Sequence, residues 1–180
     1  MKGVINKGIQ ELVEARFGED VWREVRERAE CEEPFFAVGK DYPDEMTLAL
    51  VEALAEVAKL PPEVLLVEFG KFWVPHTGLH SYPTFYKLAG SSPREFLLNM
   101  DRVHRQATRT LPGSKPPHFT YEERDDGRLL MHYHSSRNLC KVLQGLILGV
   151  GLYFQQHLEV HEVACRTRGD PHCTFEVCFP

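Results

Sequence analysis

The hydrophobic period of this chain changes once, near Pro116, and that change limits the folds open to it. Up to about residue 111, apolar residues recur every three or four positions, as a helix requires if it is to bury one face. Ile5, Ile9 and Leu12 predict a first helix that Gly18 can end, and Asp44 can cap a second one carrying Leu48, Val51, Leu54 and Ala58. The Pro61-Pro62 pair breaks that helix and can open another through Leu65, Phe69 and Trp73. In "SSPRE", Ser92 can cap, Pro93 can be the first helical residue, and Glu95 is the reciprocal capping-box partner. The helix so opened is expected to reach about Thr110, with Phe96, Met100, Val103, Ala107 and Leu111 as its buried stripe.

After Pro116, "HFTYEE" and "RLLMHYH" alternate around the turn former Asp126-Gly127, which predicts a hairpin. A long apolar helix follows from about Ser136 to His157, and "LEVHEVACR" and "CTFEVCF" flank "GDP" as a second hairpin. The expected class is α+β: a helical first lobe, then a lobe with an antiparallel sheet crossed by one helix. Residues 1–180 are expected to form a single domain, with the lobes meeting at about 111/112.

The charge balance, 21 basic against 26 acidic side chains and no basic stripe with interleaved aromatics, argues against nucleic acid as a partner. The longest apolar stretch, Val142 to Phe154, is too short to span a bilayer, so no membrane partner is expected. "MKGVINKGIQ" lacks the apolar core and cleavage pattern of a signal peptide, and the chain is expected in the cytoplasm. Five cysteines, four of them after residue 139, point to metal or redox chemistry rather than a secreted disulfide framework.

Three groups of residues carry chemistry. In "MHYHSSRN", Tyr133, Ser135 and Arg137 fall at every second position and offer two hydroxyls and a guanidinium fork, a donor set suited to an anionic group. The plainer reading is a solvated strand end. His104, in "LLNMDRVHRQA", lies on the edge of its helix's buried stripe, as a core histidine or as an axial nitrogen beside an apolar slot. A low-bulk strip on the long helix, Val142, Gly145, Leu146 and Gly149, would let a flat macrocycle lie close to the backbone; tight packing of the helix explains it equally. Finally, Cys140, His161, Cys165 and Cys173 make an ordinary tetrahedral zinc set, with His161 and Cys165 four apart on one strand, or else a group of small buried residues. Cys178 and His172 are possible substitutes, and Cys31 lies elsewhere.

The pairing of "NMDRVH" with "YHSSR", about thirty residues apart, resembles the haem nitric oxide/oxygen binding (H-NOX) family, relatives of the haem domain of soluble guanylate cyclase. The resemblance covers nearly the whole chain. It implies haem b between the lobes, ligated by His104, with its propionates held by Tyr133, Ser135 and Arg137 and with Pro117, or the neighbouring Pro116, pressing on the macrocycle. It also implies a distal pocket of Ile5, Ile9, Trp73, Val142 and Leu146, in which Val142 stands where oxygen-binding members carry a tyrosine. NO and CO are then expected to bind and O2 not to form a stable complex. Zinc at Cys140, His161, Cys165 and Cys173 is similar to that of some bacterial members.

No phosphate loop, Ser-His-Asp order or paired carboxylates stand out, so the chain is expected to be no enzyme but a bacterial stand-alone receiver. NO would loosen the His104 bond to iron, release strain at Pro117 and shift the lobes, a change read by a histidine kinase or a cyclic-di-GMP enzyme. Two other readings stay open. One is a gas store or scavenger; the other, suggested by the tail "GDPHCTFEV", is a haem-free small-molecule domain of the 4-vinyl reductase type.

Overall fold

A computed structural model describes residues 1–109 and 114–180. The expected end of the histidine helix, at Thr110 and Leu111, falls outside the described residues. Helices α1 (Gly3–Phe17), α2 (Glu19–Arg28), α3 (Asp44–Ala58) and α4 (Pro62–Trp73) come first. A π-helical turn, Val74–Gly78, carries α4 into the short α5 (Leu79–Ser81), and α6 (Pro83–Ala89) follows. Gly18, at φ +92°, ends α1 in a conformation that costs a side chain little only when there is none.

The helix expected from Ser92 onward is two. Helix α7 (Pro93–Leu98) stops at Asn99, and α8 (Met100–Thr108) starts beyond it. Asn99 marks the break because its amide Nδ2 donates to the carbonyls of Ala89, at 2.8 Å, and Glu95, at 2.9 Å. Ser92 caps α7 by accepting the Glu95 N–H, but Glu95 returns its carboxylate to the N–H of Ser91, at 2.8 Å, rather than to that of Ser92. Asp44 is not a cap either: Pro43 holds that position, and the Asp44 carboxylate turns to partners outside its helix.

The second half contains β1 (His118–Glu123), β2 (Leu129–His134), α9 (Cys140–Tyr153), β3 (Glu159–Ala164), a 3-10 turn (Arg166–Arg168) and β4 (Cys173–Cys178). All pairings are antiparallel, in the order β1-β2-β4-β3, and the fold is α+β. Gly127, at φ +83°, turns β1 into β2. Helix α9 is shorter than the apolar run predicts, because Asn138 adopts φ +52° before it and Gln155 φ +55° after it.

Two cores result. One lies among α1 to α4, around Val13, Val25 and Leu50, and the other between α4, α6, α7, α9 and the inner face of the sheet, around Ile147, Met131 and Phe175. Trp73 packs against both. Of the low-bulk strip on α9, Gly145 and Gly149 serve this junction, while Val142 and Leu146 line a cavity between the two cores. A Cβ on Gly145 would overlap the Val67 carbonyl oxygen, one on Gly70 would overlap the backbone of α9, and one on Gly149 would sit 2.9 Å from the Gly70 carbonyl oxygen. The two backbones therefore approach as only glycines allow.

Candidate functional site

A cavity of about 330 Å³ lies between the two cores, within the usual range for small-molecule sites. His104 reaches it from α8, Trp73 from α4, Val142 and Leu146 from α9, Ile5 from α1, and Pro116 and Pro117 from the segment before β1. Tyr133, Ser135 and Arg137 line it together at the end of β2. Ile9 does not line it. One turn further along α1, that side chain is buried among the helical lobe's core residues instead.

His104 is oriented by its own helix: its Nδ1 stands 2.8 Å from the carbonyl oxygen of Met100 and donates to it. That fixes the tautomer and leaves Nε2 as the lone-pair nitrogen of a ring lining an apolar chamber. Burial holds the imidazole below its ordinary range, against the Met100 hydrogen bond, so the ring stays neutral and able to ligate. Phe119 packs beside it, with ring centroids 5.6 Å apart.

Helix α8 is itself anchored by a residue the sequence did not single out. Asp101 is 8% exposed, accepts the Phe119 N–H at 3.0 Å and a proton from His118 Nδ1 at 2.6 Å, and pairs with Arg105 at 2.7 Å. Burial alone would raise its carboxyl, yet these donors hold it below the usual carboxylate range. Its place three residues before His104 was the available signal.

At the rim, Arg137 meets a second unforeseen residue. Its Nε donates to Asp44 Oδ2 at 2.8 Å and one terminal nitrogen to Asp44 Oδ1 at 3.4 Å, while the other reaches the Lys115 carbonyl at 3.3 Å. The amino terminus also pairs with Asp44. Ser135 Oγ accepts the Arg137 N–H at 3.2 Å, and burial raises the Tyr133 hydroxyl above its ordinary range, keeping it a donor. On the α1 and α4 side of the chamber, Trp73 Nε1 is buried without a hydrogen-bond partner among the described residues.

Three of the predicted zinc ligands come together. The Cys140 and Cys173 sulfurs are in direct contact, and the Cys165 sulfur lies 3.9 Å from the first and 3.8 Å from the second. His161 does not join them. It pairs with Glu176 on the exposed side of β3, and a register shift between Glu162 and Ala164 breaks the alternation that would have put it on the same face as Cys165. Reduced, the three sulfurs fit three corners of a zinc site, and the fourth is not supplied by His161.

One buried neutral imidazole, apolar walls and a cluster of donors at a single edge are the features of a pocket built for a flat, anionic-edged macrocycle with one axial ligand. Comparison with known proteins agrees with that class. A family model described as haem-NO-binding matches residues 2–162, and this chain belongs to that family. Soluble guanylate cyclase 89Da of Drosophila melanogaster is 26% identical over 171 residues, covering 94% of this chain and 26% of that protein. Guanylate cyclase soluble subunit beta-2 of Rattus norvegicus is 29% identical over 122 residues, covering 64% of this chain and 18% of the relative. The chain thus spans about a quarter or less of these relatives' length.

Among solved structures, the S. oneidensis H-NOX protein in its Fe(II)NO state superposes with a TM-score of 0.88 at 23% identity, covering 100% of this chain and 99% of that one. An oxygen-binding H-NOX domain related to soluble guanylate cyclases, in its oxygen complex, gives 0.85 at 23% identity, covering 99% and 95%. At these identities the likeness is one of fold.

Proposed function

We propose that residues 1–180 form a single haem-based nitric oxide sensor domain, cytoplasmic and bacterial, that signals to a separate protein and catalyses nothing itself. The observation that carries the reading is the His104 ring, whose Nδ1 is spent on Met100 and whose Nε2 remains for iron. Tyr133, Ser135 and Arg137 supply the donors that two propionates need, and Pro117, with Pro116, bounds the chamber beside them. The bound ferrous haem b supplies an open coordination position at which a diatomic gas is held. Among the distal residues Ile5, Val142 and Leu146 offer no donor and Trp73 carries the one N–H, with no hydroxyl at Val142, which favours NO and CO over the polar O2 complex.

The Fe(II)NO and Fe(II)CO states named for S. oneidensis proteins are consistent with this choice of gases. Reduced Cys140, Cys165 and Cys173 are read as the thiolate ligands of one zinc ion that ties α9 to the last hairpin. The partner is expected to be a histidine kinase or a cyclic-di-GMP enzyme, biased by a shift of the helical lobe against the sheet lobe.

An absorption spectrum of the reduced protein before and after NO, CO and O2 tests the reading. The expected result is a strong Soret band that responds to NO and CO and gives no lasting oxy form. A protein that stays colourless after haem addition would instead have a haem-free pocket for a small apolar molecule. Partner activity compared across ferrous, CO and NO forms tests the signalling step, and equal activity in all three would leave a gas store or scavenger.

A further inference from the structure

The outer face of the sheet, turned away from the cavity, carries an unusual number of imidazoles. His118 pairs across from His134, and β2 and β4 are in register with Tyr133 opposite Cys173, so that His134 and His172 come next to each other one step further along. His132, two residues up the same strand, shares the face of His134. The ring centroids of His134 and His172 are 4.7 Å apart and those of His132 and His172 5.1 Å.

We propose that His132, His134 and His172 form a binding site for one divalent transition-metal ion, separate from both the thiol cluster and the cavity and independent of the haem reading. His172 Nε2 stands 3.3 Å from His132 Nδ1, with the two rings nearly perpendicular at 89°. Two nitrogens bound to one tetrahedral ion at about 2.0–2.1 Å are themselves about 3.3–3.4 Å apart, so this pair already has the separation of two ligands on one metal. His132 Nδ1 also lies 2.9 Å from Thr174 Oγ1, a contact the ion would replace. His134, exposed on the same face with its ring centroid 4.7 Å from that of His172, is the third ligand of the proposed site.

His118 is left out of the set, since its Nδ1 is engaged by Asp101 at 2.6 Å and its ring is 5.9 Å from that of His134. Three neutral imidazoles select zinc, nickel or copper over calcium or magnesium, which prefer oxygen. Burial, followed by the neighbouring His172, holds His132 and His134 below their ordinary range, which favours their neutral, ligating form.

Nickel is the probe. Calorimetric titration of the untagged protein with Ni2+ is expected to show a site, over and above any at the thiol cluster, that His132→Gln or His172→Gln weakens by ~10-fold or more and that Cys165→Ser leaves unchanged. Failure of the wild type to bind, equal affinity in the histidine variants, or loss of the site in Cys165→Ser would each overturn the proposal. Diethyl pyrocarbonate labelling of the unmutated protein gives a readout free of folding effects. Ni2+ is expected to protect His132, His134 and His172 while leaving the exposed His80 reactive, and equal labelling with and without Ni2+ overturns the site.

Discussion

Arg137 Nε and Asp44 Oδ2 are 2.8 Å apart across 93 residues of sequence, joining the strand end at the cavity rim to the first turn of α3 in the helical lobe. The same side chain lines the cavity, and on the proposed reading Arg137 would both hold the lobes together and hold a ligand. Replacing it tests the second role: Arg137→Ala is expected to weaken haem retention by about 1.5–3 kcal/mol, the worth of a buried charge-assisted bond, with Tyr133→Phe and Ser135→Ala each doing less. Haem off-rates measured by transfer to an acceptor protein decide it, and equal rates in wild type and Arg137→Ala would exclude a clamp.

Asp44 tests the first role. Its hydrogen bond from Arg137, followed by that from the amino terminus, holds the carboxyl below the ordinary carboxylate range. A depressed carboxylate contributes stability that is present above the unfolded value and is lost as pH falls through the folded one. Asp44 is 40% exposed and Arg137 30%, so screening limits the contribution to about 0.2–1 kcal/mol. Urea melts should show Asp44→Asn less stable than wild type at pH 7, with the gap closing below pH ~3.8. A gap that persists at low pH would assign the loss to packing.

His104→Gly removes the only described imidazole that lines the cavity. Haem is expected to be lost on purification and to be regained with free imidazole, which can occupy the vacated axial place. A normal five-coordinate ferrous spectrum in the variant without added base would rule out His104 as the ligand.

The glycine contact between α4 and α9 makes a stability prediction. Gly145→Ala would place a methyl against the Val67 carbonyl, on a helix whose backbone cannot retreat without moving Val142 and Leu146 in the cavity wall. Overpacking of this kind costs about 1–3 kcal/mol, and at roughly 2–4 °C per kcal/mol for a chain this size the melting temperature should fall measurably. An unchanged melting curve would mean that the helices separate freely.

The period change at Pro116, the Asp126-Gly127 hairpin and the donor set Tyr133, Ser135 and Arg137 were legible in the sequence because each depends on residues close along the chain. The errors share a different cause. Ile9, Asp44 and His161 are each on a correctly read element, and the strip at Gly145 has two readings in the sequence, because what covers an element is decided by a partner tens of residues away. Ile9 meets the first core before the cavity begins, Gly145 meets Gly70, and Asp44 meets Arg137. A single register shift was enough to turn His161 from the thiols.

Trp73 and Val142 together decide the choice of gas. The Trp73 N–H is buried without a partner among the described residues, while Val142 puts no hydroxyl on the α9 wall. Wild type is expected to form no lasting complex in air, and Trp73→Phe should leave that unchanged. Val142→Tyr places a hydroxyl on the α9 wall and should create an oxy spectrum. A persistent oxy form in wild type that disappears in Trp73→Phe would make the indole the donor.

The thiol cluster gives a prediction in which the geometry and the ligand count pull apart. Cys140, Cys165 and Cys173 bring three sulfurs within 4.8 Å of one another, close enough for one ion, while His161 stays on the exposed side of β3. Anaerobically purified protein is expected to contain one zinc per chain. Cys165→Ser should release it, because two sulfurs alone form a poor tetrahedral site. His161→Ala should leave the zinc content unchanged, with solvent completing the coordination. Metal analysis with thiol counting checks all three proteins: zinc lost equally in both variants would require β3 to turn His161 inward when metal binds, and no zinc in wild type with all five thiols free would leave the cluster as packing or redox residues.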